Sequence, residues 1–354
     1  SLSLTTSTLS EGTHSISMKA KDYAGNLSDI SLSILELIVD TTPHDPINSL
    51  LLRVDDTGIT DIDRITNVRT PRILFSSLPT DQDSIRLFVS DGVTNEFVVG
   101  GRKELDETKD TLAVPFSARL DEGSYDFTYV VIDSAGNTSN PSFPSTVVID
   151  FTPPDTPQEP DLSSDDDSGI SDSDDLTNAS TMEMTTSGLT SGDFGLLYRV
   201  DGTPDTTLVD SIIVPESGSL TYSVTNDIDG TYKFYVVAQD TAGNRSSESG
   251  LATIVVDQTA PVVTGVTIDL DDAYDSGVLN NDNLTNSTSP AFTVNNVVAN
   301  DSIFLYFDGI KNKALKASGT TVNFTGEISI DGTYPVTIMA LDPAGNLSDV
   351  STSL

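Results

Sequence analysis

The sequence predicts an all-β protein made of tandem β-sandwich modules arranged end to end as a rod. Two observations lead to this prediction. The same short motifs return in the same order, at offsets of 111, 107 and 102 residues. Between them lie short runs of β-branched and aromatic residues bounded by turn signals, which are typical of strands. No segment shows the apolar periodicity of a long helix.

The repeats set the predicted domain boundaries. The motif Asp-x-Ala-Gly-Asn, called here the Ala-Gly-Asn loop, begins at Asp22, Asp133, Asp240 and Asp342. A Gly lies ten residues before each of these Asp residues. The period predicts three modules, at 40–149, 150–256 and 257–354. Residues 1–39 are then the C-terminal part of a truncated module, and we expect a window from a longer array, because a third of a small domain cannot bury a core.

The expected strands are short and lie at matching positions in the modules. The clearest are Arg72–Ser76, Ile85–Val89, Tyr125–Ile132, Thr146–Ile149, Phe194–Val200, Tyr232–Ala238, Ile303–Phe307 and Tyr334–Leu341. About seven strands in about 100 residues predict an immunoglobulin-like sandwich. Tyr125, Tyr232 and Tyr334 open the penultimate strand, where each phenol either bonds the backbone as a tyrosine corner or fills the core. His14 takes that place in residues 1–39, and we expect a half-buried corner residue.

The composition excludes several classes of function. The chain has 54 Asp and Glu against 17 Lys and Arg, and its formal net charge of −37 opposes nucleic acid binding. It has no Cys and two His, which excludes thiolate zinc sites and nearly excludes a Ser-His-Asp triad. No run of about 18 apolar residues is present, so we predict no direct membrane insertion. Carboxylate pairs abound but recur with the repeat and make poor unique catalytic clefts, so we predict no enzyme.

Acidic residues concentrate at two recurring places. A linker containing Asp and Thr follows each module end and begins at Asp40, Asp150 and Asp257. After it comes an Asp-rich block, called here the acidic loop, at 56–67, 167–178 and 275–286. Calcium takes six to eight oxygen ligands from loops of this kind, so the blocks predict calcium sites. Two alternatives stay open: the Asp, Gly and Asn residues are only turn formers, or 155–178 is a disordered acidic segment.

Strand order assigns the predicted calcium ligands to junctions. In a seven-stranded sandwich the acidic loop, the turn before the penultimate strand and the exit linker lie at one end, and the Ala-Gly-Asn loop lies at the other. In a stacked array, the Ala-Gly-Asn loop therefore faces the acidic loop, turn and linker of the preceding module. The predicted ligands are Glu11, Asp40, Asp133 and Asn137 at the first junction; Asp56, Asp61, Asp63, Glu122, Asp150, Asp240 and Asn244 at the second; and Asp165, Asp167, Asp172, Asp174, Asp175, Asp229, Asp257, Asp342 and Asn346 at the third. Asp269, Asp271, Asp272, Asp275 and Asp282 would serve a further module.

Charge repulsion gives calcium an expected mechanical role. Two carboxylates about 4 Å apart repel by roughly 1 kcal/mol even in bulk water. We expect one or two calcium ions at each junction, a rigid array with calcium and a flexible one without it. Magnesium should substitute poorly, because it demands a near-ideal octahedron and retains its water.

The recurring motifs, together with Asp-Gly-Thr-Tyr at 229–232 and 331–334, resemble the bacterial immunoglobulin-like repeats of giant surface adhesins. The resemblance covers essentially the whole chain. It implies a structural extender, or stalk, of a type I-secreted (RTX or biofilm-associated) adhesin at the bacterial cell surface, stiffened by calcium. The stalk would project a distal binding region with an unknown ligand, and the partners of these modules would be their neighbours in the same chain and calcium.

The alternative function is binding of carbohydrate or another surface ligand by one or more modules. It requires one module to carry an exposed aromatic or flat Thr patch that the others lack. The candidates are Tyr306 and Phe307, beside the turn at Asp308 and Gly309. Their positions favour a core strand followed by a hairpin turn.

Overall fold

A computed structural model describes residues 3–45, 49–51, 55–75, 84–92, 97–104, 111–202, 205–226 and 228–354. Contacts divide the chain into two compact units: Ser1–Pro153 with Asp240–Asn244, and Pro154–Gln239 with Arg245–Leu354. The predicted all-β class is confirmed, because the described residues form strands and one 3-10 turn at Phe116–Ala118. The predicted strand end Ser76 lies outside the described residues.

The first unit contains a hairpin and one sandwich. The hairpin pairs β1 (Gly12–Ile16) with β2 (Leu35–Val39). The sandwich comprises β3 (Ser49–Leu51), β4 (Ile65–Thr66), β5 (Arg72–Phe75), β6 (Ser84–Ser90), β7 (Phe97–Glu104), β8 (Thr111–Ala113), β9 (Gly123–Ile132) and β10 (Ser145–Ile149). One sheet has the order β3-β5-β8 and the other β4-β10-β9-β6-β7. The short strand β4 pairs in parallel with β10, the last strand of the module.

The second module repeats this topology within the second unit. Its strands are β11 (Asp161–Leu162), β12 (Leu176–Thr177), β13 (Thr181–Thr186), β14 (Phe194–Val200), β15 (Thr206–Ile213), β16 (Leu220–Thr225), β17 (Gly230–Gln239) and β18 (Ala252–Val256). The sheets have the orders β11-β13-β16 and β12-β18-β17-β14-β15. Burial alternates residue by residue along β13, β16 and β18, which places Met182, Met184, Tyr222 and Ile254 in the core. Each such side chain contributes about 1.5–3 kcal/mol of apolar burial.

The third module, also in the second unit, has two three-stranded sheets among its described residues. Its strands are β19 (Thr267–Leu270), β20 (Ala291–Asn295), β21 (Ser302–Phe307), β22 (Ile310–Lys316), β23 (Thr321–Thr325) and β24 (Val336–Leu341). The sheets have the orders β19-β20-β23 and β22-β21-β24. The predicted start of the strand Tyr334–Leu341 is wrong. It starts at Val336, because Pro335 lacks an N–H and no described strand pairs with residues 332–335 on their other side.

Tyrosine corners form in two of the three predicted places. The Tyr232 hydroxyl donates to the Ile228 carbonyl at 2.8 Å, and the Tyr334 hydroxyl donates to the Ile330 carbonyl at 2.7 Å. Tyr125 follows the alternative and packs, partly buried, against the first module's core. His14 is half-buried with Nε2 2.6 Å from the Ser10 carbonyl oxygen, four residues earlier, so the predicted corner role of His14 is confirmed.

Candidate functional site

Each linker begins with an Asp that folds the chain back on itself. A carboxylate oxygen of Asp40, Asp150 and Asp257 accepts the N–H of the Thr two residues later, at 3.1 Å in all three copies. This arrangement is an Asx turn, in which the short Asp side chain replaces a backbone acceptor. The linker Asp residues thus act first as turn formers.

The turn before the penultimate strand holds the linker from one side. The hydroxyl of the same linker Thr donates to a carboxylate in that turn: Thr42 to Glu11 at 2.6 Å, Thr152 to Glu122, and Thr259 to Asp229. The hydrogen bond from Thr42 lowers the pKa of Glu11, and that from Thr259 lowers the pKa of Asp229, because each stabilises the ionised form.

The Ala-Gly-Asn loop holds the linker from the other side. The side-chain amide of the loop Asn donates to the linker Asp carbonyl, at 3.1 Å for Asn137 and Asp40, 2.9 Å for Asn244 and Asp150, and 2.7 Å for Asn346 and Asp257. Each of these contacts lies inside one compact unit. The structure therefore brings together the predicted turn acid, linker Asp and loop Asn in three copies.

The first Asp of the Ala-Gly-Asn loop is used within its own loop. Asp133, Asp240 and Asp342 each accept the backbone N–H and the side-chain amide of the loop Asn at 2.8–2.9 Å. Burial opposes ionisation of Asp133, but the bonds from Asn137 and the loop backbone outweigh it and lower its pKa. In the Ala-Gly-Asn loop, these hydrogen bonds support the alternative in which the Asp is a turn former.

The acidic loops also have an internal hydrogen-bond pattern that repeats. Asp56, Asp167 and Asp275 each accept the N–H of the residue eight positions later, at 3.0–3.1 Å. Those donors, Arg64, Asp175 and Asn283, have φ of 58–64°, so the carboxylate secures a left-handed turn. The segment 155–178 is ordered by these contacts and by β11 and β12, which does not support the disordered alternative.

The predicted pairing of acidic loops with Ala-Gly-Asn loops is present, but its contact atoms are different from those expected. In the first unit the Thr57 hydroxyl donates to the Ala242 carbonyl at 2.5 Å, and in the second the Ser168 hydroxyl donates to the Ala344 carbonyl at 2.6 Å. A Cβ added to Gly58 would lie 2.0 Å from the Thr241 oxygen. Hydroxyls and bare backbone therefore make the contact that sequence reasoning gave to carboxylates. The pairs Thr57-Gly58 and Ser168-Gly169, at matching positions in the acidic loops, were the sequence feature from which this contact could have been predicted.

The remaining predicted ligands lie on the surface or bond locally. Asp61, Asp63, Asp165, Asp172 and Asp174 are exposed, and Asp175 is half-buried. In the third module, Asp271 accepts the Thr293 hydroxyl at 2.7 Å, and Asp275 and Asp282 accept backbone N–H groups of their own loop. Asp269 lies in β19 opposite Thr293, and Asp272 follows Asp271 in the turn after β19.

Electrostatic crowding within the acidic loops favours a bound cation. Burial and the neighbouring Asp63 and Asp61 raise the pKa of Asp56 despite its bond from Arg64. Burial and Asp174 raise the pKa of Asp167, whose Oδ1 is buried without a hydrogen-bond partner among the described residues. An oxygen-only donor set of this kind fits calcium. In the part of the chain that the structure describes, however, no three His, Asp or Glu side chains converge as a metal site, so binding would require these side chains to rotate.

Asp301 is one of the buried carboxylates that sequence reasoning missed. Asp301 is 3 % exposed, immediately before β21, and its side chain accepts no hydrogen bond from the described residues. Burial, then the charges of Asp342 and Asp257, raise its pKa to about 6. An Asp recurs at the matching position of the other modules, as Asp193 and Asp83. This recurrence was the sequence feature from which the role of Asp301 could have been predicted. Asp83 lies outside the described residues.

The candidates for a ligand-binding patch occupy structural positions. Phe307 is buried, with its ring centroid 5.5 Å from that of Phe292 and 6.2 Å from that of Tyr334. Asp308 and Gly309 have φ of 49° and 75° and form the turn between β21 and β22. The interpretation as core strand and hairpin turn is confirmed. Among the described residues, no helix has the length and apolar character needed to cross a membrane.

Comparison with solved structures gives matches of low sequence identity. The first three fibronectin domains of chicken CNTN1 are 14 % identical over 82 % of this chain and 94 % of that one, with a TM-score of 0.35. The tetra-tandem repeat in the extending region of a large adhesion protein is 17 % identical over 98 % and 82 %, with a TM-score of 0.25. The BSP domain of a biofilm-associated protein is 13 % identical over 80 % and 62 %, with a TM-score of 0.21. No curated protein matches the chain.

Family models give a more direct assignment. The model described as bacterial Ig-like domain matches residues 43–151, 154–258 and 262–354, and a group 3 model of the same description matches 216–306. The three matches follow one another along the chain, as the three sets of β-sheets do. With most of its length accounted for in this way, the chain belongs to the bacterial Ig-like domain family.

Proposed function

We propose that this chain is an extender segment of a bacterial cell-surface adhesin that projects a distal binding region. The observation that carries the proposal is the linker held from both sides in three copies. The hydroxyl of the linker Thr donates a hydrogen bond to the carboxylate in the preceding turn. The backbone carbonyl of the linker Asp accepts a hydrogen bond from the side-chain amide of the Asn in the following Ala-Gly-Asn loop. A spacer needs linkers that restrict the movement of one module relative to the next. Two hydrogen bonds per linker, one to each side, provide this restriction. Membership of a family of tandem Ig-like repeats supports the same function.

Calcium stiffens the joints in this proposal. In the second unit, Asp257, Asp301 and Asp342 lie close enough for the first and last to raise the pKa of the second. The buried Asp301 carboxylate, which accepts no hydrogen bond from the described residues, is the strongest candidate for an oxygen ligand there. The acidic loops at 56–67 and 167–178 supply further carboxylates. A bound calcium ion would offset the mutual repulsion of these groups, which otherwise opposes close packing.

The proposal places the chain outside the bacterial cell, exported by type I secretion, in a structural role without catalysis. Its partners are neighbouring modules and calcium. The high negative charge favours solubility and limits self-association.

Small-angle X-ray scattering tests the calcium-dependent stalk directly. The chain is measured in excess EDTA, then in millimolar calcium, and in magnesium as control, at fixed ionic strength. We expect the maximum dimension to rise with calcium and not with magnesium.

A matched pair of variants assigns the effect to the proposed ligands. Asp301→Asn with Asp342→Asn should reduce the response, whereas Asp308→Asn, on an exposed hairpin turn, should leave it intact. An unchanged scattering curve in calcium would overturn the calcium-stiffened joint.

A further inference from the structure

The outward faces of two sheets in the second compact unit are almost free of acidic residues. The sheet β12-β18-β17-β14-β15 contains one acid in its strands, Asp210, and β21, β22 and β24 of the third module contain none. Asp210 lies opposite Leu197, which faces the core, so it is not on the outward face. The whole chain has 54 Asp and Glu, so these strands stand apart from the rest of the molecule.

The basic residues of the same region divide by the face that they occupy. Residues 150–354 contain six Lys and Arg. Arg199 and Lys313 lie opposite the core residues Phe234 and Leu305, and they form salt bridges with Asp201 at 2.7 Å and with Glu327. The four that belong to the outward faces are exposed and form no salt bridge with a described residue: Lys233, Arg245, Lys311 and Lys316. Cations left unpaired in so acidic a chain indicate a surface for an external anion.

Aromatic rings lie next to these unpaired cations. In the second module, Arg245 Nη1 donates to the Tyr198 hydroxyl at 3.3 Å, and the Tyr198 ring stacks on the Tyr235 ring with centroids 5.2 Å apart. In the third module, Lys311 Nζ lies 3.8 Å from the centroid of the Phe304 ring. A ring beside a cation suits a ligand that has both an apolar face and a negative charge.

The face in the second module is also open to solvent. Leu208 and Ile213 of the edge strand β15 point outward opposite Tyr198 and Phe194, and they are 48 % and 59 % exposed. Leu196 lies between these pairs and is buried by its neighbours. This cluster is the aromatic and apolar patch that a binding module requires, at a place other than the one that the sequence suggested.

The first module provides an internal contrast. Counted back from the Ala-Gly-Asn loop, Asp126 stands at the position of Lys233, and Thr128 at that of Tyr235. The Thr146 hydroxyl donates to Asp126 at 2.6 Å, which keeps this carboxylate on the outward face. The described part of that face therefore combines an acid with a cation, Arg86, and has no stacked aromatic pair.

We propose that the outward faces of these two sheets bind an acidic polysaccharide. The sugar rings pack their C–H faces against Tyr198 and Phe304. Uronate carboxylates accept charge-assisted hydrogen bonds from the four unpaired cations. The role is separate from the calcium-stiffened joints, because it uses the sides of the modules rather than their ends. It would let the stalk itself adhere to an anionic matrix.

A polyuronate fits these faces better than a nucleic acid does. It carries at most one carboxylate per sugar, whereas duplex DNA carries one charge per about 1.7 Å. The acidic loops are separate from these strands, and charges more than about 8 Å away are largely screened at physiological ionic strength. A ligand of sparse charge therefore gains from the local cations without meeting the full repulsion of the chain.

Binding of an oligogalacturonate to the whole chain tests the proposal. The probe is fluorescently labelled, and the control probe is the same oligosaccharide with its carboxyl groups methyl-esterified. Both are titrated in EDTA, so that calcium neither bridges the two anions nor stiffens the joints. The acidic probe should bind saturably and more weakly as salt is added. The esterified probe should bind about tenfold more weakly or less.

Two double variants with the same change in net charge locate the site. Lys233→Gln with Lys311→Gln removes one outward cation from each sheet and should weaken binding about tenfold. Arg199→Gln with Lys313→Gln removes the two salt-bridged cations and should change binding less than about twofold. Phe304→Leu keeps an apolar side chain but removes the ring, and it should weaken binding several-fold.

Four outcomes would overturn the proposal. Equal binding of the two probes would remove the role of the carboxylates, and equal losses in the two double variants would remove the outward faces. Tighter binding of a duplex DNA probe would assign the faces to nucleic acid. Concentration-dependent self-association that Lys233→Gln with Lys311→Gln abolishes would assign them to a second copy of the chain. None of these results depends on calcium, so each is distinct from failure of the proposed joint.

Discussion

The acidic loop of the second module, 167–178, and its copy in the third, 275–286, have nearly the same internal bonds in different surroundings. Asp167 accepts the Asp175 N–H at 3.1 Å, and Asp275 accepts the Asn283 N–H at 3.0 Å. Ser168 and Ser276 accept the Asn178 and Asn286 N–H groups at 2.8 and 2.9 Å. Among the described residues, the loop of the second module packs against an Ala-Gly-Asn loop, and its copy in the third module does not. The fold of the loop is therefore local, and docking uses a surface that is already formed.

This difference bears on how the joints work. A loop that keeps its shape without a partner pays little ordering entropy when a partner arrives. The contact at Ser168 and Gly169 can then be small and still fix an orientation. The carboxylates hold the loop in shape, while the hydroxyl and the glycine backbone meet the neighbour.

The largest expected effect comes from the glycine at the contact. Gly169 has φ of 93°, and an added Cβ would lie 1.9 Å from the Pro343 carbonyl oxygen. Gly169→Ala should destabilise the packed loops by on the order of 3 kcal/mol, from backbone strain and the clash. Gly277→Ala is the matched control, because Gly277 lies outside the left-handed region and its added Cβ would meet nothing nearer than 3.6 Å. Urea denaturation measures both, and equal losses would contradict the comparison.

A smaller effect is expected from Asp301, on the other side of the same junction. The pKa of Asp301 in the folded state, about 6, exceeds the ordinary value of 3.8. Between pH 3.8 and pH 6 the folded state therefore keeps a proton on Asp301 that the unfolded state has released. Without calcium, stability should fall as pH rises from about 4 to 6 and stay low above, by on the order of 1–2 kcal/mol. Asp301→Asn should flatten this dependence.

Urea denaturation in EDTA at pH 5 and 7.5 measures the pH effect. Asp308→Asn, on the exposed turn after β21, is the control and should keep the parent's slope. An Asp301→Asn variant with the same pH dependence as the parent chain would contradict the assignment to Asp301.

The smallest effect concerns the loop Asn. Asn346 bonds Asp342 at 2.9 Å and the Asp257 carbonyl at 2.7 Å, so Asn346→Ala should cost about 1 kcal/mol. Within the described residues the Asn26 side chain bonds only Asp22 of its own loop and is exposed, so Asn26→Ala should cost less than about 0.5 kcal/mol. Thermal unfolding of both variants sharpens the comparison between a loop that holds a linker and one that does not. Identical melting shifts would argue against the linker bond.

Much of the candidate site followed from sequence, and the exceptions have a common cause. The turn acid, linker Asp and loop Asn were predicted together, because strand order in a sandwich fixes which loops share an end. Thr57, Ser168 and Asp301 were missed, because an uncharged hydroxyl and a single Asp look ordinary until a partner distant in the sequence approaches them. The calcium ligand set stays a prediction.

The sequence by itself determined the all-β class, the tandem modules and the shape of each loop. These depend on alternation along a strand and on Asp, Asn and Gly in turns, which act over a few residues. The tertiary structure alone decided which atoms meet at the linkers and that Asp301 is buried beside two other carboxylates. Those features depend on burial and on pairing between distant segments, which local patterns do not encode.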